Sequence, residues 1–425
     1  MIAVSLTWKL CTSAVDIRTC AEIKKIKIFF SPYLTEEQAI SQWESGKSLP
    51  TVEMLYDLAV ILDVTMESLL SDVTMANRDI SYMDSGLDVG KLYVVKGKVH
   101  DLITKGEHVV RSEFMEPLFF RPDTTGMKNP VYAKATYVPG SKARLAREQG
   151  FDKEICMDLA ARAINDMCCR GIRSLVFQAH FVGGNMDGDL LYEMAKSFKE
   201  TCESNGVIYG GMAIGSQPVN FRPGEYELSA SIMGACDEEN INFENRIKEG
   251  DVLIALMTEG IDAVSYPYTK VMLDRKPELR YAKIDKNHTF IEELLKPNVV
   301  YNRTIEELDT KGLLHDAFRV TNSFVKDAPF WSVPDYLTAR IDLDKIVITP
   351  LFRFIEKQNM IGRNFIPHRF AFGVGMIVAV PQEKVEESME IIRKNHECYV
   401  LGALEKNTDN REEKVRTTGE IHWDN

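Results

Sequence analysis

Apolar residues recur along this chain in two rhythms, one near 3.6 residues and one of two, with glycine or polar turns between the runs. Across residues 35–73 only the helical rhythm appears. LTEEQAISQWESGKSLP holds a short helix that stops near Ser45-Gly46, followed by a turn and the stop Leu49-Pro50. Thr51 caps TVEMLYDLAVILDV, in which Val52, Leu55, Leu58, Ala59 and Leu62 share one face, and Thr65 caps the short helix MESLL. Upstream, Pro32 in KKIKIFFSPYL stands where a helix interior is expected. Proline there removes a hydrogen bond and clashes, at about 3 kcal/mol or more. Residues 1–20 carry no assignable pattern.

From Ser81 onward strands and helices alternate. After a linker over Met75–Asp88, VYAKATYV (131–138) alternates like a strand, and FDKEICMDLAARAINDMCCRG reads as a helix ended by Gly171. SLVFQAHFV (174–182) is an apolar strand, DLLYEMAKSFKETCESNG an amphipathic helix, and ELSASIMGAC (227–236) a strand. GDVLIALMTEG starts a second unit, which FGVGMIVAVP and the helix EKVEESMEIIRKN close. The pattern predicts a helical module over 1–75, one α/β unit over 76–248, a second over 249–407 and a polar tail over 408–425.

Composition narrows the class. At 425 residues the chain is too long for one ordinary core. No apolar run approaches the roughly 20 residues needed to cross a bilayer. Met1–Val15 lacks a basic start and a small-residue cleavage site, so no signal peptide is expected. The eight cysteines form no C-x-x-C pair, which argues against zinc and disulfides and for a reducing cytoplasm. Cys168-Cys169 reads as buried filler. A net charge of −12 argues against a broad nucleic-acid surface, while leaving room for a small DNA-reading module.

ISQWESGKSLP resembles the end of the recognition helix and the following turn of lambda-repressor-like helix-turn-helix domains. That resemblance implies a small all-α bundle presenting one helix to the major groove. The recognition helix would begin at Thr35; Gln38 and Gln42 are suited to adenine edges, and Ser41 and Lys47 to phosphates. Residues 1–75 hold six Lys and Arg against ten Asp and Glu, a handicap for phosphate contact. Operator DNA and protein contacts both stay open as the module's target.

Five further segments, SYMDSGLD, MDLAARAINDMCCRG, GDVLIAL, LLKPNVVYN and FGVGMIVAVP, resemble phosphoribosylformylglycinamidine cyclo-ligase (AIR synthetase) in order and spacing. The wider set includes selenophosphate synthetase and thiamine monophosphate kinase. The resemblance, over residues 79–407, implies a two-domain α/β (α+β) fold, here behind the helical module. It also implies a homodimer formed through the first domain, ATP bound at the dimer and a formylglycinamidine ribonucleotide substrate.

Such chemistry needs carboxylates for Mg²⁺, glycines whose N–H groups approach phosphates, and a mobile lysine. The family's T-D-G-V-G-T-K loop matches Thr136-Tyr137-Val138-Pro139-Gly140-Ser141-Lys142, which keeps the lysine but has tyrosine for the metal-binding aspartate. Leu-Asp-Tyr has become Gln178-Ala179-His180, and Gly-Gly-Glu-Thr has become Gly210-Gly211-Met212-Ala213. Pro-His-Ser-Asn-Gly is Ile261-Asp262-Ala263-Val264-Ser265, and His-Leu-Thr-Gly-Gly-Gly is Arg319-Val320-Thr321-Asn322-Ser323-Phe324. On the intervening helix Asp158, Arg162, Asn165 and Asp166 share one face, either as retained ligand contacts or as a solvated face with an Asp158–Arg162 pair.

The expected ligand contacts are Lys142, Asp158, Asn165, Asp166, Gly210 and Gly211, with Lys142 and Asp158 the catalytic candidates if the chain is active. No metal ligand is assigned and Mg²⁺ is not expected; ATP or another purine nucleotide is the ligand the resemblance implies. Tyr137, Met212 and Phe324 are bulkier than the residues they replace, which predicts a partly filled cleft. The sequence thus suggests a cytoplasmic, dimeric, DNA-binding regulator that senses a small nucleotide-like molecule. An ATP-dependent cyclo-ligase and a protein-interaction pseudoenzyme are the alternatives.

Overall fold

The fold is a computed structural model, and it describes residues 56, 82, 86–114, 117–185, 187–241, 246–326, 328–330, 332–408 and 413–423. Thr35, Gln38, Ser41, Gln42 and Lys47 lie outside the described residues. By compactness the chain divides into two units. One comprises Met1–Lys98, Val182–Asp189 and Gly215–Tyr226; the other comprises Val99–Phe181, Leu190–Ile214 and Glu227–Asn425.

In the first unit, helix α1 (Val89–His100) carries Tyr93, whose ring lies 5.7 Å from that of Tyr56. Two loops meet beside it: Gln217 N–H donates to the Gly183 carbonyl at 2.7 Å and Gly184 N–H to that of Glu225 at 2.9 Å.

The remaining elements begin with a two-stranded ribbon, β1 (Val109–Arg111) and β2 (Phe119–Phe120). Next come β3 (Pro130–Tyr137), α2 (Lys142–Gln149), α3 (Asp152–Cys168), β4 (Arg173–Gly183), α4 (Gly188–Ser204), β5 (Ile208–Ser216) and β6 (Tyr226–Asp237). The four long strands form one sheet in the order β3-β6-β4-β5, with β3 antiparallel to β6 from Pro130↔Asp237 to Tyr137↔Ala230. Period-two burial makes β3 and β4 strands, as their alternating sequences predict.

The second sheet is built after Gly250 from β7 (Val252–Met257), β8 (Asp316–Arg319), β9 (Leu337–Asp342), β10 (Val374–Val380), β11 (Cys398–Lys406) and β12 (Val415–Thr418). Its order is β12-β9-β11-β7-β10-β8. The pairings are antiparallel except for β12, which lies parallel to β9. Helices α5 (Tyr266–Arg275), α6 (Phe290–Leu295), α7 (Asn302–Thr310), α8 (Pro350–Lys357) and α9 (Val385–Arg393) complete it. A core forms where Ile254, Leu256, Met376 and Val378 meet Ile305, Leu308 and Ile392, with Cys168 of α3 included.

Two expectations change here. Residues 408–425, read as a polar tail, contain β12; its Arg and Thr side chains are exposed at a sheet edge, so no apolar alternation marks the strand. The polar face of α3 is only partly solvated, with Arg162 and Asp166 half-buried. Twelve of the helix's 17 residues are buried, Asp158 and Asn165 among them, so both must find partners inside the protein. Cys168 and Cys169 are consistent with filler: burial drives both thiols up, Cys169 to about 12.

Candidate functional site

The Thr136–Lys142 segment leaves β3 and turns at Gly140, whose φ of +58° is the left-handed region glycine favours. The turn directs Lys142, the first residue of α2, inward until it is only 1% exposed. There its ammonium lies 3.0 Å from Asp158 Oδ1 and donates to the Ile261 carbonyl at 2.8 Å. The same carboxylate oxygen accepts from Asn298 N–H at 3.0 Å and from Asn298 Nδ2 at 2.8 Å. Two turns further along α3, Asn165 Nδ2 donates to the Val299 carbonyl at 2.7 Å, and its Oδ1 accepts Tyr301 N–H at 3.0 Å.

These contacts bind α3 to the segment 296–301, which approaches Gly260 too closely for a side chain there. A Cβ at Gly260 would sit 2.1 Å from the Lys296 carbonyl oxygen, and its φ is +65°. Thr258 Oγ1 accepts Val299 N–H at 3.0 Å, and Tyr301 Oη donates to the Met257 carbonyl at 2.7 Å. Asn298, Val299 and Tyr301 therefore meet groups of the protein itself on this side.

Arg319, at the end of β8, performs the second half of this closure. Its guanidinium pairs with Asp166 at 3.0 Å and with Asp262. Burial alone would lower it, but the carboxylates of Asp262 and then Asp166 outweigh burial and leave it above its ordinary value. Tyr137, where the family has a metal-binding aspartate, shares a hydrogen bond with Asp166; burial and then that carboxylate push its phenol up. The void left among Arg162, Asn298, Tyr301, Arg319 and Gly375 is about 10 Å³, the room of roughly one water.

The sequence-predicted contacts thus divide. Asp158 and Asn165 meet on segment 296–301, Lys142 pairs with Asp158, and Asp166 joins Arg319. Gly210 and Gly211 on β5 do not join them: their added Cβ atoms would meet Val176 and Ile103, so both positions serve packing. Arg319, Asp262 and Asn298 were not assigned as site residues from sequence. Their signal was a paired change, an arginine and an aspartate each standing where the family has histidine, in loops far apart along the chain.

The donor set suits internal pairing better than a divalent ion. Asp166 and Asp262 already flank a guanidinium, and Asp158 is already committed to an ammonium and two amide donors. Among the described residues, no group of three or more His, Cys, Asp or Glu side chains is placed to hold a metal ion. No described helix is long and apolar enough to cross a membrane.

Comparison with known proteins supports both parts of the chain. Residues 37–69 match the helix-turn-helix family. The chain is 26% identical over 321 residues to the phosphoribosylformylglycinamidine cyclo-ligase of Finegoldia magna, covering 74% of this chain and 93% of that protein. It is 23% identical over 351 residues to the bifunctional purine biosynthetic protein purD of Dictyostelium discoideum, covering 80% of this chain but only 43% of that protein. The crystal structure of thiamine-monophosphate kinase from Stenotrophomonas maltophilia superposes with a TM-score of 0.56 at 14% identity, over 78% of this chain and 96% of that one. The E. coli hydrogenase maturation protein HypE gives 0.52 at 12%, over 77% and 94%. The two structures share this chain's fold.

Proposed function

We propose that this chain, similar in sequence to phosphoribosylformylglycinamidine cyclo-ligases and equipped with a helix-turn-helix segment, is a regulator that has given up the ligase reaction. It would read operator DNA as a homodimer and sense a small nucleotide-like molecule. The observation that carries this reading is the burial of Lys142 against Asp158 and the Ile261 carbonyl. A lysine that must follow a transferring phosphoryl group needs freedom to move, and this one is held on two sides. Arg319 supports the same reading, because its charge stands between the carboxylates from which a metal would be coordinated.

Such a protein has the parts of a one-component switch, with a reader at one end and a ligand-binding fold behind it. Two-fold symmetry would present two reading helices to two half-sites. The domain limits 1–75, 76–248 and 249–407 are the units we expect to act in it. A mobility-shift titration of the full chain on its own upstream DNA, with and without purine nucleotides, tests the proposal. A shifted band whose midpoint moves with nucleotide is the expected result. No shift on any upstream fragment under either condition would refute DNA reading.

A further inference from the structure

We infer that the cavity bounded by the outer strands of the two large sheets is a binding site for a neutral, planar, nucleoside-sized heterocycle. The inference rests on the sensing reading above and places the ligand away from the closed cleft.

β3 is the outer strand of the four-stranded sheet and β8 the outer strand of the six-stranded one. Residues 131–133 of the first and 316–319 of the second line the same cavity, of about 690 Å³. Small-molecule sites occupy roughly 300–1,000 Å³. An outer strand leaves one row of N–H and C=O groups outside its ladder, and these suit an edge that carries donors and acceptors side by side. Val131, Ala133, Ile172, Ile241 and Phe318 supply apolar surface for the faces of a flat ring.

Charge selects further. The charged residues of the lining are Arg170 and Arg319 against Asp166 and Asp316, an even balance. That balance disfavours a triphosphate, which would bring several negative charges to a lining that holds two carboxylates and to Arg319, already paired with Asp166 and Asp262. A neutral ring with amino and ring-nitrogen positions finds a complement in both signs. Ser332, whose hydroxyl donates to Asp316 Oδ2 at 2.8 Å, holds one of those carboxylates in place. Arg319 lines this cavity and the closed cleft alike, so an occupant would reach the Asp166 and Asp262 pairs through one side chain.

Isothermal titration of the full chain with adenosine, guanosine, cytidine and uridine tests the site. We expect saturable binding of at least one, weakened at least tenfold by Ala133→Phe and by Ile241→Trp, and weaker binding of the matching triphosphate. Ile241 is 53% exposed, so its variant should fold even where the strand variant does not, and an unchanged melting temperature without ligand would establish that. A nucleoside affinity unchanged in Ile241→Trp would overturn the cavity while leaving sensing intact. Binding by none of the four would overturn it too. The sensing reading fails only if phosphorylated purines also leave the DNA complex unmoved.

Discussion

On one side of the Arg319 guanidinium, Asp262, Asn298 and Tyr301 close around a void of about 10 Å³; on the other, β3 and β8 border one of about 690 Å³. The closed side falls where the sequence resemblance puts catalysis, and the open side shares with those catalytic motifs only Asp166, Arg319 and Thr321. The closed side is polar yet nearly filled, because Lys142 has met Asp158 there and Arg319 has met Asp166 and Asp262. The open side borders β3 and β8, which among the described residues have one neighbouring strand each. Replacing catalytic residues need not leave a hole: side chains of opposite charge can fill the space and become part of the scaffold.

The sharpest way to break this contrast is Asp158→Ala. It would leave the Lys142 ammonium buried with one carbonyl and strand two donors of Asn298, and urea unfolding should report a loss of about 3–5 kcal/mol. The double variant Lys142→Met/Asp158→Leu should recover most of that loss, since an apolar pair of similar volume is often no less stable than a buried ion pair. If Asp158→Ala left stability unchanged, the pair would not be a clamp. Arg319→Met should cost about 2–3 kcal/mol by leaving Asp166 and Asp262 facing each other, less than the first because this site is nearer the open cavity. Asn165→Ala removes the bonds to Val299 and Tyr301, and about 1–3 kcal/mol is expected by the same measurement.

The smallest effect concerns pH. His396 lies behind the closed side, its ring 5.0 Å from that of Tyr301, with Nδ1 buried and lacking a partner. Burial lowers its pKa from 6.5, so below pH 6.5 the unfolded chain binds more protons than the folded one. Stability should therefore fall as pH drops below 6.5, and His396→Gln should flatten that part of the profile. An unaltered slope in the variant would assign the acid loss to other groups.

Much of this was legible in the sequence, and the rest was hidden for identifiable reasons. The alternation of 131–138 and the period of 152–168 depend on neighbours along the chain, so β3 and α3 appear close to where the pattern predicts. The helical rhythm of 35–73 likewise overlaps the family match at 37–69. Partners separated by long stretches of chain could not be read that way. Asp158 meets Asn298 across 140 residues, so the polar face of α3 looked suited to ligand or solvent, although Asp158 and Asn165 are held by groups of the protein itself. β12 escaped notice because an exposed edge strand needs no apolar face. The substitution at Tyr137 announced that the cleft had changed, but not that Arg319 and Asp262 had entered it together.

The most direct test of the account is ADP release by the purified full chain supplied with ATP, Mg²⁺ and a formylglycinamidine ribonucleotide. If Lys142 is a buried clamp, the rate should not exceed that of the protein-free control. Turnover above that control, abolished by Lys142→Ala in a variant that still folds, would contradict it.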